Sequence, residues 1–525
     1  MARLSKNDLQ QMGEDYFRRL EPERLVEVAK NLHELAVEQL EKLEETSKTS
    51  SRPPSSDDPF KRVKSEKSEL TNIPSEEPPS PDEDKKEEVG EDGEPEKEQS
   101  ASKPAKKSPQ GFGAPKRTAG KQPGAKGKWR NTPLKAERII PHYPEQCAAC
   151  NGEGLVPDAK PHRGYYQFEL MPGEGGFKIE CQLHHYYGAT CSCGHHTQAQ
   201  PGKGDISEVS NRKTQLQLKE YVLVGAMLAS FIASLSVRYR FSRAKIQEFL
   251  RDWYGVELSI GTIDQSIREA GFACTPVVEA LLEELQSADI LHIDETPWYE
   301  GGDFCWMWVV QSCTTAVFRI GSRTKEVFLQ LVSSAFVGWL VSDGYGAYRT
   351  HPQRQRCLAH LIRKALALAQ AVDEDAQQLA QWLLEEMREL IHTIATTGED
   401  DPDEPITWRL HQLALISTGS QHPKLKALAW EILNDWSAVV AFVFNPELPV
   451  TNNDAERALR HPVIARRISY GTRSSEGSKA YAALLSVIET CRLRNLKPWT
   501  FLAEVIRQRR KGLPAPSLTL PLQVA

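Results

Sequence analysis

Three acidic residues in this chain stand where side chains could hold cations. The apolar run Ile290-Leu-His-Ile-Asp294-Glu-Thr-Pro297 brings Asp294 to the end of what reads as a buried strand, and Pro297 limits that strand's continuation. Gly338-Trp-Leu-Val-Ser-Asp343-Gly-Tyr-Gly346 again delivers an acid at a strand's C-terminal end, followed by glycines that permit a sharp turn. In Val450-Thr-Asn-Asn-Asp-Ala-Glu456-Arg-Ala-Leu-Arg460, Thr451, Asn452 or Asn453 can cap a helix whose first turns carry Glu456. A carboxylate beside a sheet core must be paired, protonated or bound to a cation. Two Mg²⁺ ions clamped by three carboxylates can activate water or a 3′-hydroxyl and stabilise the leaving oxygen of a phosphodiester displacement. Residues 457–511 hold 13 Lys and Arg against three acids, a net +10 suited to phosphate contacts.

A second chemistry lies upstream. Cys147-Ala-Ala-Cys150 and, after 40 intervening residues, Cys191-Ser-Cys193-Gly194 resemble the two knuckles of a zinc ribbon, in which four thiolates close a tetrahedral shell. The second knuckle is tighter than a CxxC, which leaves the fourth ligand open among Cys193, His195 and His196, with Cys181, His184 and His185 as further candidates. The set chosen is Cys147, Cys150, Cys191 and Cys193, weighed against buried thiols without a metal. Such a closed site folds a module and does no chemistry.

The elements that must position these groups follow from the pattern of the chain. Its 525 residues, 40% hydrophobic and 26% charged with a net charge of -6, allow several domains and do not by themselves announce a polyanion partner. The start MARLSKNDLQ has no apolar run, so no secretory signal is expected. Residues 221–237 are uncharged but too short to span a bilayer and read as a buried helix. Ten Cys in this length point to a reducing, cytoplasmic setting. Residues 18–43 show helical apolar spacing, either a helix packing on its own chain or a homodimer zipper. A disordered linker is expected over 51–138: residues 71–100 carry 12 acids and 3 bases, residues 101–138 carry 11 bases and one acid. Phe241 to Gly255 and Ser259 to Gly271 read as two helices joined by a turn, like a helix-turn-helix, with Ser259 or Thr262 as N-cap of the second. ILHID, FCWMWVVQ, TAVFRIG and GWLVSDG read as strands, with a helix over 325–335 before the last. After His360 the chain turns helical, and its Trp382, Trp408, Trp430 and Trp436 are expected in a core more than on nucleic-acid bases.

Taken together, these motifs resemble the bacterial insertion-sequence transposases of the "sixty-six" family. The resemblance is carried by Asn31-Leu-His-Glu-Leu running into Ser51-Arg-Pro-Pro-Ser-Ser, the Cys module, Tyr254-Gly-Val-Glu-Leu-Ser-Ile-Gly-Thr-Ile, His292-Ile-Asp-Glu-Thr, Ser342-Asp-Gly-Tyr, Cys357-Leu-Ala-His-Leu-Ile-Arg-Lys364 and Asn452-Asn-Asp-Ala-Glu-Arg-Ala-Leu-Arg460. It implies a multidomain α/β protein and a D-D-E triad, Asp294, Asp343 and Glu456, holding two Mg²⁺ or Mn²⁺ ions in an RNase H-like mixed-sheet domain. The divisions expected are an N-terminal amphipathic helix over 1–50, the linker over 51–138, a zinc-binding module over 139–202 and a helix-turn-helix-like region over 214–285. The catalytic domain would follow over 286–364, with a helical insertion over 365–445, its second part over 446–512 and a tail over 513–525. Only the second interval between the acids, 113 residues, has room for such an insertion. Glu295 should face the opposite side of its strand, and Asp454, about 200° from Glu456 around a helix, cannot share its face.

Cys357-x-x-His360 has the spacing of half a zinc site, but one pair is incomplete, and a structural or DNA-positioning role is preferred. The expected DNA contacts are His360, Arg363, Lys364, Arg457, Arg460, Arg466, Arg467 and Arg473. The function implied is cutting and joining DNA at the element's terminal inverted repeats, in the bacterial cytoplasm. Target DNA, further copies of the chain and accessory proteins of the same element are the other partners. The rivals are a DNA-binding protein with a non-catalytic RNase H-like domain, a metal-dependent nuclease without strand transfer, and a zinc-nucleated protein-binding scaffold.

Overall fold

The computed structural model describes isolated positions between 22 and 32 and residues 134–174, 176–207 and 215–518. The N-terminal helix expected over 18–43, apart from those isolated positions, the linker as far as 133 and the tail beyond 518 lie outside the described residues.

The first described module is built of short strands. β1 (Arg138–His142), β2 (Leu155–Pro157), β3 (Arg163–Gly173), β4 (Gly176–Tyr186), β5 (Gly188–Cys191) and β6 (His196–Gln198) form two three-stranded sheets, ordered β1-β4-β3 and β2-β5-β6. β7 (Lys203–Ile206) and β8 (Gln217–Lys219) pair as a ribbon. The β3/β4 hairpin is fixed in register from Arg163 opposite Tyr186 to Gly173 opposite Gly176, and its Phe168, Leu170 and Cys181 belong to the same hydrophobic core as the rest of the molecule.

Four helices follow: α1 (Ala226–Val237), α2 (Arg243–Tyr254), α3 (Ile260–Ala273) and α4 (Thr275–Leu285). α1 is apolar all round and buried along its length, as a core helix should be; among the described residues no helix is long and apolar enough to cross a membrane. Its first turn lacks a side-chain cap of its own. Glu169 of β3 supplies the acceptor instead, taking the Leu228 N–H at 2.9 Å and fastening the strand module to the helix. α2 starts on the Ser242 hydroxyl and stops at Gly255, whose φ of 65° a Cβ would penalise. Ser259, not Thr262, caps α3 through the Thr262 N–H at 3.0 Å. α3 runs past Gly271, because that glycine lies against the backbone of Ala480, where an added Cβ would stand 2.4 Å from Cα. The second helix of the helix-turn-helix-like pair is thus core along its C-terminal half, leaving its first turn, Ile260 to Thr262, at the surface.

The central sheet has five strands in the order β11-β10-β9-β12-β13. β9 (Ile290–Glu300), β10 (Asp303–Gln311) and β11 (Ala316–Gly321) form an antiparallel meander, after which α5 (Lys325–Leu331) crosses to β12 (Trp339–Ser342), parallel to β9, and β13 (Arg354–Arg356), parallel to β12. All four sequence-read strands are present. β9, however, does not stop before Pro297. β12 pairs with β9 only as far as His292, so beyond it one edge of β9 is open. The Pro297 carbonyl points to that edge, where the Arg466 guanidinium takes it, and the missing proline N–H costs no ladder bond. Asp294 is therefore mid-strand, at the point where the β12 edge ends.

The helical block comprises α6 (Leu358–Leu368), α7 (Glu374–Thr397), α8 (Ile406–Ser417), α9 (Pro423–Asn434) and the single turns α10 (Trp436–Val439) and α11 (Ala441–Phe444). It has its own core, which begins with Leu358 and Leu361 and closes with Leu448, wider than the expected 365–445. Trp382, Trp408 and Trp430 are 45%, 61% and 47% exposed, against the expectation of a core position; Trp436 packs on His411. The chain then returns to the sheet as α12 (Asn453–Ser469), α13 (Ser475–Leu493) and α14 (Pro498–Arg510), which rejoin the main core.

Because Gly271 meets backbone and not a yielding side chain, Gly271→Ala should cost about 1–3 kcal/mol of stability. Urea unfolding of the full chain would read this as a lower midpoint at unchanged slope.

Candidate active site

The three acids come from three separate elements. Asp294 lies on β9, Asp343 directly follows β12, and Glu456 is in the first turn of α12. All three line one cleft of about 860 Å³, whose walls also carry Trp306, Arg323, Arg356, Arg363, Lys364 and Arg460.

α12 is tied to β9 at both ends. Asn452 sits at its N-cap position but does not cap it. Fully buried, it donates from Nδ2 to the Ile293 carbonyl at 2.7 Å, accepts at Oδ1 from His292 at 3.1 Å, and gives its own N–H to Cys357 Sγ at 3.2 Å. One side chain so joins the strand residue before Asp294 to the helix bearing Glu456. At the other end Arg466 grips Pro297, and the Thr472 N–H meets the Tyr299 carbonyl at 2.9 Å. Asp343 is set by its own turn, its Oδ1 accepting the Tyr345 N–H at 2.9 Å. Gly344 lies against the Arg356 guanidinium, where a Cβ would fall 2.1 Å from Nη1, so the turn needs glycine.

Electrostatically the acids are under-compensated. Burial pushes Asp294 well above the ordinary carboxylate range, and the charges of Glu295 and Asp343 push it further. The Glu456 Oε1 atom is buried without a hydrogen-bond partner; His360 Nε2 and Arg363 Nη2 approach it only to 3.8 and 3.6 Å. Acceptors left in this state are suited to a cation. Glu295 also borders the cleft, but its carboxylate is tied to Tyr348 and, at 2.6 Å, to Arg323. Burial and Asp343 raise it to about 7. Asp454 turns away to His292 and Arg457, 3.8 and 3.5 Å off.

Among the residues expected to meet DNA, Arg460, Arg363, Lys364 and His360 line the cleft, while Arg457, Arg467 and Arg473 are exposed outside it. Arg466 is engaged by β9. Within the basic tract, Arg494 and Arg510 are buried on Glu284 and Glu269, so the net +10 overstates the charge open to phosphate. Cys357 and His360 join Glu456 in a cluster whose ligand atoms lie within 4.8 Å of one another, giving the pair a third member that sequence spacing alone did not supply.

The four chosen cysteines also converge. Cys147 and Cys193 sulfurs are 3.6 Å apart, those of Cys150 and Cys191 3.5 Å, and all four lie within 4.8 Å. Backbone N–H groups of Ala149 and Cys150 draw the Cys147 thiol down to about 6, toward the thiolate a metal requires. Of the other candidates, His196 pairs with Asp158 at 2.9 Å, Cys181 faces the main core and His184 stacks between His142 and Tyr165.

Residues 222–480, which include all three acids, match the family described as Transposase IS66 family. That segment is similar to IS66-family transposase domains. The uncharacterized proteins y4jD, y4qI and y4hP of Sinorhizobium fredii are 23%, 23% and 24% identical to this chain over 299, 304 and 299 residues. The matched stretches cover 49%, 51% and 48% of this chain and 58%, 56% and 53% of theirs, so the chain spans little more than half the length of these curated relatives. The matched segment begins just before α1 and ends inside α13, so the cysteine module lies outside it.

Sequence reading passed over four residues that shape this cleft: Asn452, read only as a cap, and Arg323, Arg356 and Glu431. The doubled Asn before Asp-Ala-Glu was the available signal for the first; the others depend on contacts between residues far apart in the chain.

Ionising Asp294 is opposed by burial and by the charges of Glu295 and Asp343, so Asp294→Asn should stabilise the metal-free protein at neutral pH by on the order of 1 kcal/mol, a rise in thermal midpoint of roughly 2–4 °C. A carboxyl whose folded pKa is raised loses stability as pH climbs through that pKa. The advantage of the variant, measured by scanning calorimetry, should therefore grow from pH 5 to pH 8.

Proposed function

We propose that this chain is a DNA transposase that binds the terminal inverted repeats of its insertion sequence and cuts and joins DNA at the cleft between β9, β12 and α12. The observation that carries the reading is the convergence of Asp294, Asp343 and Glu456, from three elements, in one cleft inside a transposase domain. The mixed five-stranded sheet, interrupted by the helical block before α12, is read as an RNase H-like catalytic domain with an all-helical insertion.

Asp294, Asp343 and Glu456 are the residues that would hold two Mg²⁺ or Mn²⁺ ions, and the under-compensated oxygens described above fit that role. Bound there, the ions would activate water or a 3′-hydroxyl and stabilise the leaving oxygen. The protein's own part is to bind and orient. Asn452 keeps Glu456 in register with Asp294, the Gly344 turn fixes Asp343, and His360 and Arg363 orient Glu456. Arg460, Lys364, Arg457, Arg467 and Arg473 offer charge to the phosphate backbone.

The Cys147, Cys150, Cys191 and Cys193 cluster is read as a structural zinc site, closed to substrate, that stiffens a module placed against the transposase domain by Glu169. The α2–α3 pair, with the first turn of α3 exposed, is the proposed reader of the DNA ends. Target DNA, further copies of the chain and accessory proteins of the same element are the remaining proposed partners, and the bacterial cytoplasm the proposed setting.

Cleavage and joining of DNA carrying the element's own ends, with Mg²⁺ or Mn²⁺ and with accessory proteins in parallel, tests the reading. Asp294→Ala, Asp343→Ala and Glu456→Ala should each lower the rate by at least about 10³-fold while end binding survives. Hydrolysis without joining in the wild type would make the chain a nuclease, and binding without either reaction would make it a DNA-binding protein. For the zinc, one ion per chain is expected by elemental analysis. Cys147→Ser should abolish it and expose the module, residues 139–202, to proteolysis.

A further inference from the structure

The wall of the cleft beyond Asp343 holds a group of charges that the metal chemistry does not use. The Arg356 Nη2 and Lys364 Nζ atoms converge on a single carboxylate, Glu431 of α9, the lysine at 2.6 Å from Oε2. All three residues line the cleft that holds the three acids. Behind them, Asp435 accepts from Arg354 and from Arg356 Nη1 at 3.3 Å, with Arg349 at 3.6 Å. The group sets four cations, Arg349, Arg354, Arg356 and Lys364, against two carboxylates, Glu431 and Asp435, an excess of two positive charges. Arg356 is 2% exposed, and its Nε atom has no partner. The excess is carried by Arg349 and Lys364, whose side chains keep 45% and 36% exposure, and Lys364 stands at an open cleft where it can meet an anion.

We infer that Arg356 and Lys364 form a subsite for a phosphodiester group of a DNA strand, and that Glu431 fills it in the DNA-free chain. The inference rests on the reading of the cleft as a DNA site. The carboxylate and the phosphate present the same thing to these two side chains, a pair of anionic oxygens that a guanidinium and an ammonium can share. The parts differ in their freedom to move. Arg356 is packed against Gly344 and anchored by Asp435, so it is fixed relative to Asp343. Lys364 and Glu431 retain side-chain exposures of 36% and 22%. Glu431 is the group that yields, and it belongs to the helical insertion. Entry of a phosphate next to the second acid thus exchanges a bond from the sheet to the insertion for a bond to DNA, and a strand that fails to reach this subsite meets the Glu431 charge instead.

The test is duplex binding by the full chain without added Mg²⁺, followed by fluorescence anisotropy, for wild type, Glu431→Gln, Lys364→Ala and the double variant. Glu404→Gln, an exposed acid of the insertion away from the cleft lining, controls for net charge. Glu431→Gln should tighten binding roughly fivefold and steepen the salt dependence by about one ion, with Glu404→Gln within twofold of wild type. In the Lys364→Ala background the Glu431→Gln gain should fall well below its size in the wild type, because one of the two cations it frees is gone. A gain of equal size in both backgrounds, or one matched by Glu404→Gln, is bulk charge and overturns the subsite. So does an unchanged affinity of Glu431→Gln at a thermal midpoint equal to wild type. Failure of every protein, wild type included, to bind any duplex at low salt overturns the DNA reading itself, and the subsite with it.

Discussion

Carboxylates that share a cleft repel one another and lose hydration as they are buried, so the fold must supply the force that keeps them together. That force is the attachment of α12 to β9, and its centre is Asn452. The residue has no contact with solvent and spends its side chain on the backbone of Ile293 and the ring of His292, and its N–H on the Cys357 thiol. Three segments separated by up to 160 residues are joined there: the strand bearing Asp294, the helix bearing Glu456, and the start of α6, which brings His360 and Arg363 to Glu456. A buried amide with every partner present is stable only in one arrangement, because each lost bond leaves a polar atom stranded.

The same logic accounts for the glycines and the proline around the cleft. Gly344 leaves room for a guanidinium and Gly471 for the Tyr299 backbone, while Pro297 stands on the open edge of β9 where an arginine takes its carbonyl. Each is a local concession that lets a long element pass close to another. The helical block has a core of its own, on which Ile290 and Trp339 of the sheet pack, and it is also joined to β13 by a bridge of charges through Arg354, Arg356, Glu431 and Asp435. Such a joint answers to an incoming polyanion, which an apolar joint would not.

Much of this was legible in the chain. The alternation of apolar runs and turns located the strands β9 to β12, the helical text after His360 announced the block α6 to α9, and glycine and serine marked the end of α2 and the start of α3. Spacing also brought out the cysteines and the three acids that the fold gathers. What escaped was whatever depends on a partner elsewhere. Pro297 looks like a terminator until the shortness of β12 is known, because a proline's cost is set by the neighbour that would have taken its N–H. The insertion tryptophans look like core until their helices are packed and three of the four are left outside. Arginine counts mislead for the same reason: Arg494 and Arg510 are as basic as Arg460 in sequence, yet each is buried and paired with a glutamate.

Charge in the cleft is segregated. Asp294, Glu295, Asp343 and Glu456 crowd one end with less positive charge than they need, and Arg356, Lys364 and their neighbours crowd the other with more than Glu431 and Asp435 balance. Neutralising the two ends against each other would have been simple in so small a volume, and the structure prevents it by anchoring Arg356 to the insertion side and the acids to the sheet side. Divalent cations complement the first end and a phosphate backbone the second. A ligand that brings both, a nucleic-acid strand with its metal ions, relieves the two imbalances in one binding event, whereas a free metal or a free anion relieves only one. The segregation therefore favours the paired ligand over either part alone, and in the proposed reading the phosphate would lie beside Asp343, where the Gly344 turn and the Arg356 guanidinium already touch.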